Sequence, residues 1–231
     1  MEDIYQRTEL VIGKENVNKL KKSKVCICGI GGVGSYVLEA LARAGIGTLI
    51  IIDKDVVDIT NVNRQLIATV DNVGKDKVEE AKIRINSINP NIQIIAIKDH
   101  IDSTNVDEYI ESDCDYVVDA IDSVESKISI IKRCKQQGTK VISSMGMANR
   151  LEPLKIKVAD ISKTEVCPLA KVVRKRLKEE GINKVKVVYS TELAIKTQSK
   201  TLGSVSFVPA TAGLVIASEV IKDIINKKDE I

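Results

Sequence analysis

At 231 residues with 44% hydrophobic content, the chain can bury one sizeable core, and it carries no internal repeat or low-complexity linker. A net charge of only +3, with no tryptophan and one phenylalanine, argues against a protein that coats nucleic acid or stacks bases as its main mode of binding. One histidine and five cysteines, none in a Cys-x-x-Cys pair, leave no zinc site by spacing and little support for a Ser-His-Asp triad.

The first residues are charged and polar and contain no signal peptide. With an odd number of cysteines, this places the protein in a reducing cytoplasm. Val25 to Cys28 reads as the first strand, with Cys26 and Cys28 as core packing. A glycine loop, Gly29-Ile30-Gly31-Gly32-Val33-Gly34, then opens a helix whose apolar residues Val37, Leu38, Leu41 and Ala42 recur at helical spacing. Thr48 to Ile52 is the second strand, and Asp53 ends it. Lys54-Asp55, the run Asn61-Val62-Asn63-Arg64-Gln65 and Lys77 follow. Tyr116 to Ile121 is a further apolar strand before Asp122, and Val141 to Gly146 ends a fifth. Asn149 to Pro153 turns the chain toward strands around Lys155–Val158 and Val185–Val188, both expected to extend the sheet in antiparallel fashion. Between them, Pro168 to Leu177 predicts an amphipathic helix. Glu192 to Leu202 lacks strong periodicity and reads as a mobile loop able to order over substrate. The apolar stretch from Val208 is broken by Glu219 and Lys222, so it predicts a packed helix and no membrane span.

The glycine loop states a chemistry. Glycines let the backbone approach a phosphate, and the helix that follows offers free N–H groups and its positive dipole end to the anion. Asp53 stands where a carboxylate accepts hydrogen bonds from ribose hydroxyls. Alone, this is a nicotinamide-dehydrogenase pattern. The polar run behind it changes the reading: Arg64 and Lys77 can stabilise charge on phosphates, and Asn61, Asn63 and Gln65 can fix their geometry. Splitting ATP also needs a carboxylate for magnesium, and Asp122 is the candidate. The plain alternatives are a solvated surface arginine for Arg64 and helix capping for Asp119 and Asp122, with Asp119 read as structural.

Gly29 to Gly34, Asp53, Asp55, Asn61 to Gln65, Lys77 and Asp122 resemble the adenylation site of the ubiquitin-activating-enzyme-like, or ThiF-type, superfamily. The second half is similar to the tRNA threonylcarbamoyladenosine dehydratase family. The matching segments are Pro168-Leu169-Ala170 with Val173-Arg174-Lys175-Arg176-Leu177, Tyr189-Ser190-Thr191-Glu192, and Gly203 to Pro209. Cys167 is a departure, where relatives often carry an aspartate, and so is Met147-Ala148, where some are richer in glycine. The resemblance implies ATP and Mg2+ as cofactors, and the cysteine spacing leaves no zinc. Catalysis would rest on Arg64, Lys77 and Asp122, with Asp122 as the magnesium ligand. The nucleotide would be held by Gly29, Gly31, Gly32, Gly34, Asp53, Asp55, Asn61, Asn63 and Gln65. A homodimer is implied, in which Arg7 reaches the partner subunit's site, with a sulfur-transfer protein as a further candidate partner. The implied reaction is cyclisation of threonylcarbamoyladenosine beside the tRNA anticodon, driven by activation of the threonyl carboxylate. The alternative is an adenylyltransferase acting on the C-terminal glycine of a sulfur-carrier or ubiquitin-like protein. From another class, a redox enzyme or nucleotide sensor would use the glycine loop alone.

The helix at Pro168 adds an independent hint, since Lys171, Arg174, Lys175 and Arg176 concentrate positive charge where a tRNA backbone could bind. A solvated face is the ordinary meaning of such a helix. Cys167 in front of it is either an exposed nucleophile or a residue that packs the helix entry. The expected architecture is an α/β, Rossmann-like three-layer fold, with a mostly parallel sheet and an antiparallel C-terminal extension. One ThiF-type ATP-binding domain spans 1–231, divided into an N-terminal arm over 1–23, a nucleotide-binding part over 24–146 and a substrate and dimer part over 147–231.

Overall fold

The apolar runs of the first two-thirds of the chain become the strands of one sheet. A computed structural model describes residues 4–199 and 201–226. Two short helices, α1 (Gln6–Ile12) and α2 (Lys14–Lys22), lead into β1 (Lys24–Cys28). There follow α3 (Gly34–Ala44), β2 (Thr48–Ile52), α4 (Lys77–Ile88), β3 (Gln93–Ile97), α5 (Val106–Tyr109), β4 (Tyr116–Asp119), α6 (Val124–Gln137) and β5 (Lys140–Ser144). The last part adds β6 (Ile156–Asp160), α7 (Pro168–Glu179), β7 (Lys186–Ser190) and α8 (Phe207–Ile225). The sheet order is β3-β2-β1-β4-β5-β7-β6, parallel throughout except for the β6–β7 pair.

Strands buried on both faces explain why these runs are continuously apolar. Val25, Ile27, Leu49 and Ile51 face one layer, formed with α2, α3, α4 and α8. Cys26, Cys28, Ile50 and Ile52 face the other, formed with α5, α6 and α7. This is the expected three-layer α/β arrangement. The expectation of two antiparallel C-terminal strands needs one correction: β7 pairs with β5 in parallel, and only β6 runs antiparallel. Burial is the reason. Val187, Val188, Tyr189 and Ser190 are all buried, so β7 takes an interior place, whereas Lys157 and Val158 of β6 are exposed and suit an edge.

Strand order reverses between β1 and β4, and at such a switch point the C-terminal strand ends open into a crevice. Among the described residues, no helix is long and apolar enough to cross a membrane. From Thr191 to Ser206 the described residues form neither helix nor strand. The start of the Glu192–Leu202 segment is nevertheless fastened, because the buried Glu192 carboxylate accepts from the backbone N–H of Leu151 and Glu152.

Candidate active site

The crevice above β1, β2, β4 and β5 is a cleft of about 620 Å³. Its floor is the turn from β1 into α3. Gly29 adopts φ 90°, a left-handed conformation favourable only to glycine, and an added Cβ would lie 2.9 Å from the Ala120 carbonyl oxygen. At Gly34 an added Cβ would lie 1.8 Å from the Gly29 carbonyl oxygen, so this glycine lets the loop close onto its own helix. Gly29, Gly31 and Gly32 line the cleft and Gly34 does not, which makes its role one of packing.

Asp53, at the end of β2, braces the loop. Its Oδ2 accepts from the Ile30 N–H at 2.7 Å and its Oδ1 from the Asp55 N–H at 2.9 Å. A carboxylate has about four lone-pair sites, so capacity for ribose hydroxyls remains. Lys77 opens α4 and is buried, with Nζ 3.0 Å from Asp55 Oδ2 and 4.0 Å from Asp53 Oδ1. Asp53, Asp55 and Lys77 all line the cleft.

The run from Asn61 to Gln65 caps and turns as well as facing the cleft. Asp58 and Asn61 bracket a short 3-10 turn, Asp58 accepting from the Thr60 N–H and Asn61 Oδ1 from the Asp58 N–H. Arg64 is half-buried and donates from Nη1 to the Thr60 carbonyl at 2.7 Å and to Asn63 Oδ1 at 2.9 Å, which orients it over the cleft it lines. Asn63 does not line the cleft; its Nδ2 donates to the Ser204 carbonyl and ties this turn to the C-terminal part. Gln65 is buried on the cleft wall, and its Oε1 has no hydrogen-bond partner among the described residues.

Asp122 follows β4 and is exposed on the cleft wall. Below it, Asp119 is fully buried with Lys127, whose Nζ lies 3.0 Å from Asp119 Oδ2 and donates to the Ser144 carbonyl at 2.7 Å. Ser143 Oγ also donates to Asp119. The structural reading of Asp119 is thus correct, although its partner Lys127 was not visible in the sequence. A single acidic residue in an otherwise apolar strand was the available signal. The pair joins the ends of β4 and β5, from which Ala120 to Ser123 and Ser144 to Ala148 enter the cleft wall.

Sequence reasoning missed Asp99 and His100 as site residues; with Leu202 and Ser204 from the loop before α8, and Pro209 from its first turn, they complete the wall. Arg7 lies exposed on α1 and does not line the cleft. On α7, Lys171 and Lys175 are exposed. Arg174 instead donates to the Thr164 carbonyl and hydroxyl at 2.8 and 2.7 Å, and Arg176 forms a two-point pair with Glu125 at 2.7 and 2.9 Å. The cysteines are packing residues. All five are buried, Cys167 at the N-cap of α7 among them. Burial pushes the Cys114 thiol up to about 12 and the Cys134 thiol higher still.

A profile of the ThiF family matches residues 5–231. The tRNA threonylcarbamoyladenosine dehydratase of Bacillus subtilis is 43% identical over 239 aligned residues, covering 96% of this chain and 94% of that protein. A crystal structure of the Escherichia coli tRNA N6-threonylcarbamoyladenosine dehydratase, TcdA, in complex with AMP superimposes with a TM-score of 0.92 at 36% identity, covering 98% of this chain and 97% of that one. The same E. coli enzyme in complex with ATP gives 0.91 at 36% identity over 96% of this chain and 94% of that one. By these matches and by its own cleft, the chain belongs to the ThiF family, in its tRNA threonylcarbamoyladenosine dehydratase branch.

Proposed function

We propose that the protein uses ATP to dehydrate threonylcarbamoyladenosine next to the anticodon of tRNA, closing the cyclic hydantoin form. The observation that carries this reading is the convergence on one cleft of the glycine loop, Asp53, Arg64, Lys77 and Asp122. A carboxylate is a poor electrophile until one of its oxygens joins a better leaving group. Arg64 and Lys77 flank the place where phosphate charge shifts during that exchange, and such preorganised cations act on developing charge. The neighbouring ureido nitrogen then attacks the activated acyl carbon within the same molecule. The carboxylate oxygen leaves with the phosphorus group, for a net loss of water. An intramolecular nucleophile needs orientation more than activation, in keeping with cysteines that are all buried.

Magnesium fits the residues present. It binds through one or two carboxylates together with substrate phosphates, and Asp122 is an exposed carboxylate on the wall of the cleft that Arg64 and Lys77 also line. Bound there, magnesium would neutralise phosphate charge. Gly29, Gly31, Gly32, Asn61 and Gln65 would cradle the nucleotide, with Asp53 on the ribose and Asp55 holding Lys77. Gly34 and Asn63 would shape the loops around it. For tRNA, Lys171 and Lys175 are the exposed cations of α7, while Arg174 and Arg176 hold that helix in place. The working unit would be a cytoplasmic homodimer with Arg7 entering the partner subunit's site. A sulfur-transfer protein as partner rests on family resemblance alone.

The test is incubation of purified protein, ATP and magnesium with tRNA carrying threonylcarbamoyladenosine, followed by mass spectrometry of the nucleosides. The modified nucleoside should lose the mass of one water in an ATP-dependent manner. An unchanged nucleoside sinks the reading.

A further inference from the structure

Arg150 lies just behind the cleft wall and is 4% exposed. Its Nη1 donates to the Ala148 carbonyl at 2.9 Å, and Ala148 lines the cleft. Its Nε and Nη2 are enclosed and have no hydrogen-bond partner among the described residues. Those two N–H groups make up one complete edge of the guanidinium, a pair of parallel donors spaced to meet both oxygens of a carboxylate. An enclosed cationic donor without an acceptor is costly, and a guanidinium does not escape by losing its proton.

Glu192 does not fill the edge. Its carboxylate is close enough to feel the charge of Arg150, but it accepts from the Leu151 N–H at 3.1 Å and the Glu152 N–H at 2.9 Å. The chain on both sides of Arg150 is fastened to one stretch. Beyond the Glu192 contacts, Asn149 exchanges two hydrogen bonds with Gly203, and its carbonyl accepts from the Ile195 N–H. Asn149 makes this turn in the left-handed region at φ 56°, which asparagine tolerates better than most residues. Leu202 and Ser204 of the same stretch stand in the cleft wall. The residues on either side of the unfilled fork are therefore tied to a stretch that itself enters the cleft wall.

We propose that the Nε–Nη2 edge of Arg150 anchors the carboxylate of the substrate's threonylcarbamoyl group, which takes the fork as the stretch carrying Glu192, Ile195 and Gly203 gives way. The inference rests on the dehydratase reading and deepens it, assigning a recognition residue for the group that is to be activated. Arg64 and Lys77 would serve the nucleotide phosphates, and Arg150 the acid.

The experiment compares binding of tRNA with and without the threonylcarbamoyl group, in the absence of ATP, for the wild-type protein, Arg150→Gln and Arg150→Lys. A charge-assisted two-point contact should give wild type a preference of about tenfold or more for the modified tRNA. Arg150→Gln should abolish the preference, and Arg150→Lys, which keeps the charge without the fork, should reduce it. ATP affinity should stay within about twofold in both. Should Arg150→Gln not fold, Arg150→Lys carries the same comparison. Independently of either variant, the wild type should bind the free modified nucleoside more tightly than its carboxamide. An equal affinity for the two overturns the proposal. A retained tRNA preference in the variants overturns it as well, and a loss of ATP affinity instead assigns the edge to a phosphate. Turnover by the wild type separates the two readings: if it dehydrates the nucleoside while Arg150→Lys keeps the full preference, only the anchor falls.

Discussion

The cleft and helix α7 both draw cations from short stretches of sequence, yet they dispose of them in opposite ways. In the cleft, Arg64 and Lys77 come from different elements and converge on one concave surface that also holds Asp53 and Asp122. On α7, the basic residues diverge around a helix: Arg174 turns onto Thr164, Arg176 onto Glu125, and Lys171 and Lys175 point to solvent. Convergence across elements concentrates a field on one ligand. Clustering along one helix divides it between scaffold and surface.

The largest effect expected lies beneath the cleft. Asp119→Ala leaves Lys127 buried without its partner and should cost about 3–5 kcal/mol of stability, seen as a lower denaturant midpoint. A smaller loss would mean that Lys127 reaches water, and the cleft floor would be softer than its burial indicates. Arg64→Ala should lower turnover about 100- to 1,000-fold with little change in thermal midpoint, since it removes charge stabilisation from a half-buried turn. Equal loss of both would make Arg64 a scaffold residue and erase the contrast with α7.

Next in size, Arg174→Ala should cost about 1–3 kcal/mol of stability by orphaning the Thr164 carbonyl, while leaving the salt dependence of tRNA binding unchanged. Lys171→Ala with Lys175→Ala should do the reverse, leaving stability alone and flattening the slope of log affinity against log salt by about one to two. If the two variants behave alike, the division of α7 into holding and exposed cations is wrong.

The smallest effect concerns pH. Burial raises the Glu192 carboxyl, but the N–H groups of Glu152 and Leu151 outweigh it and hold the group below the ordinary value of 4.5. Its contribution is therefore present above that value and lost as pH falls through the lower folded one. The stability difference between wild type and Glu192→Gln should shrink as pH falls from about 4.5 through the lower folded value in denaturant titrations. A constant difference would show that the carboxylate charge does not fasten its stretch to Leu151 and Glu152.

Local chemistry was legible where a residue's role depends on its neighbours in sequence. The strand at Thr48–Ile52, the proline that opens α7 and the glycine turn all follow from period, cap and steric rules. Roles that depend on a remote partner were not. Lys127 looks like any lysine of an amphipathic helix until Asp119 from β4 meets it. Asn63 looks like a phosphate ligand until Ser204 accepts its hydrogen bond. The place of β7 between β5 and β6 depends on which strand must be covered on both faces, and that is decided by the rest of the sheet.

By itself, the sequence determined the turn at the end of β1, because glycines, a following helix and an acid after the next strand are all set within about thirty residues by steric and dipole rules. Only the tertiary structure decided which charges line the cleft above that turn, which are bound into the scaffold, and that Arg150 keeps one edge unfilled. Burial and hydrogen-bond satisfaction are properties of segments brought together from opposite ends of the chain, and no local pattern encodes them.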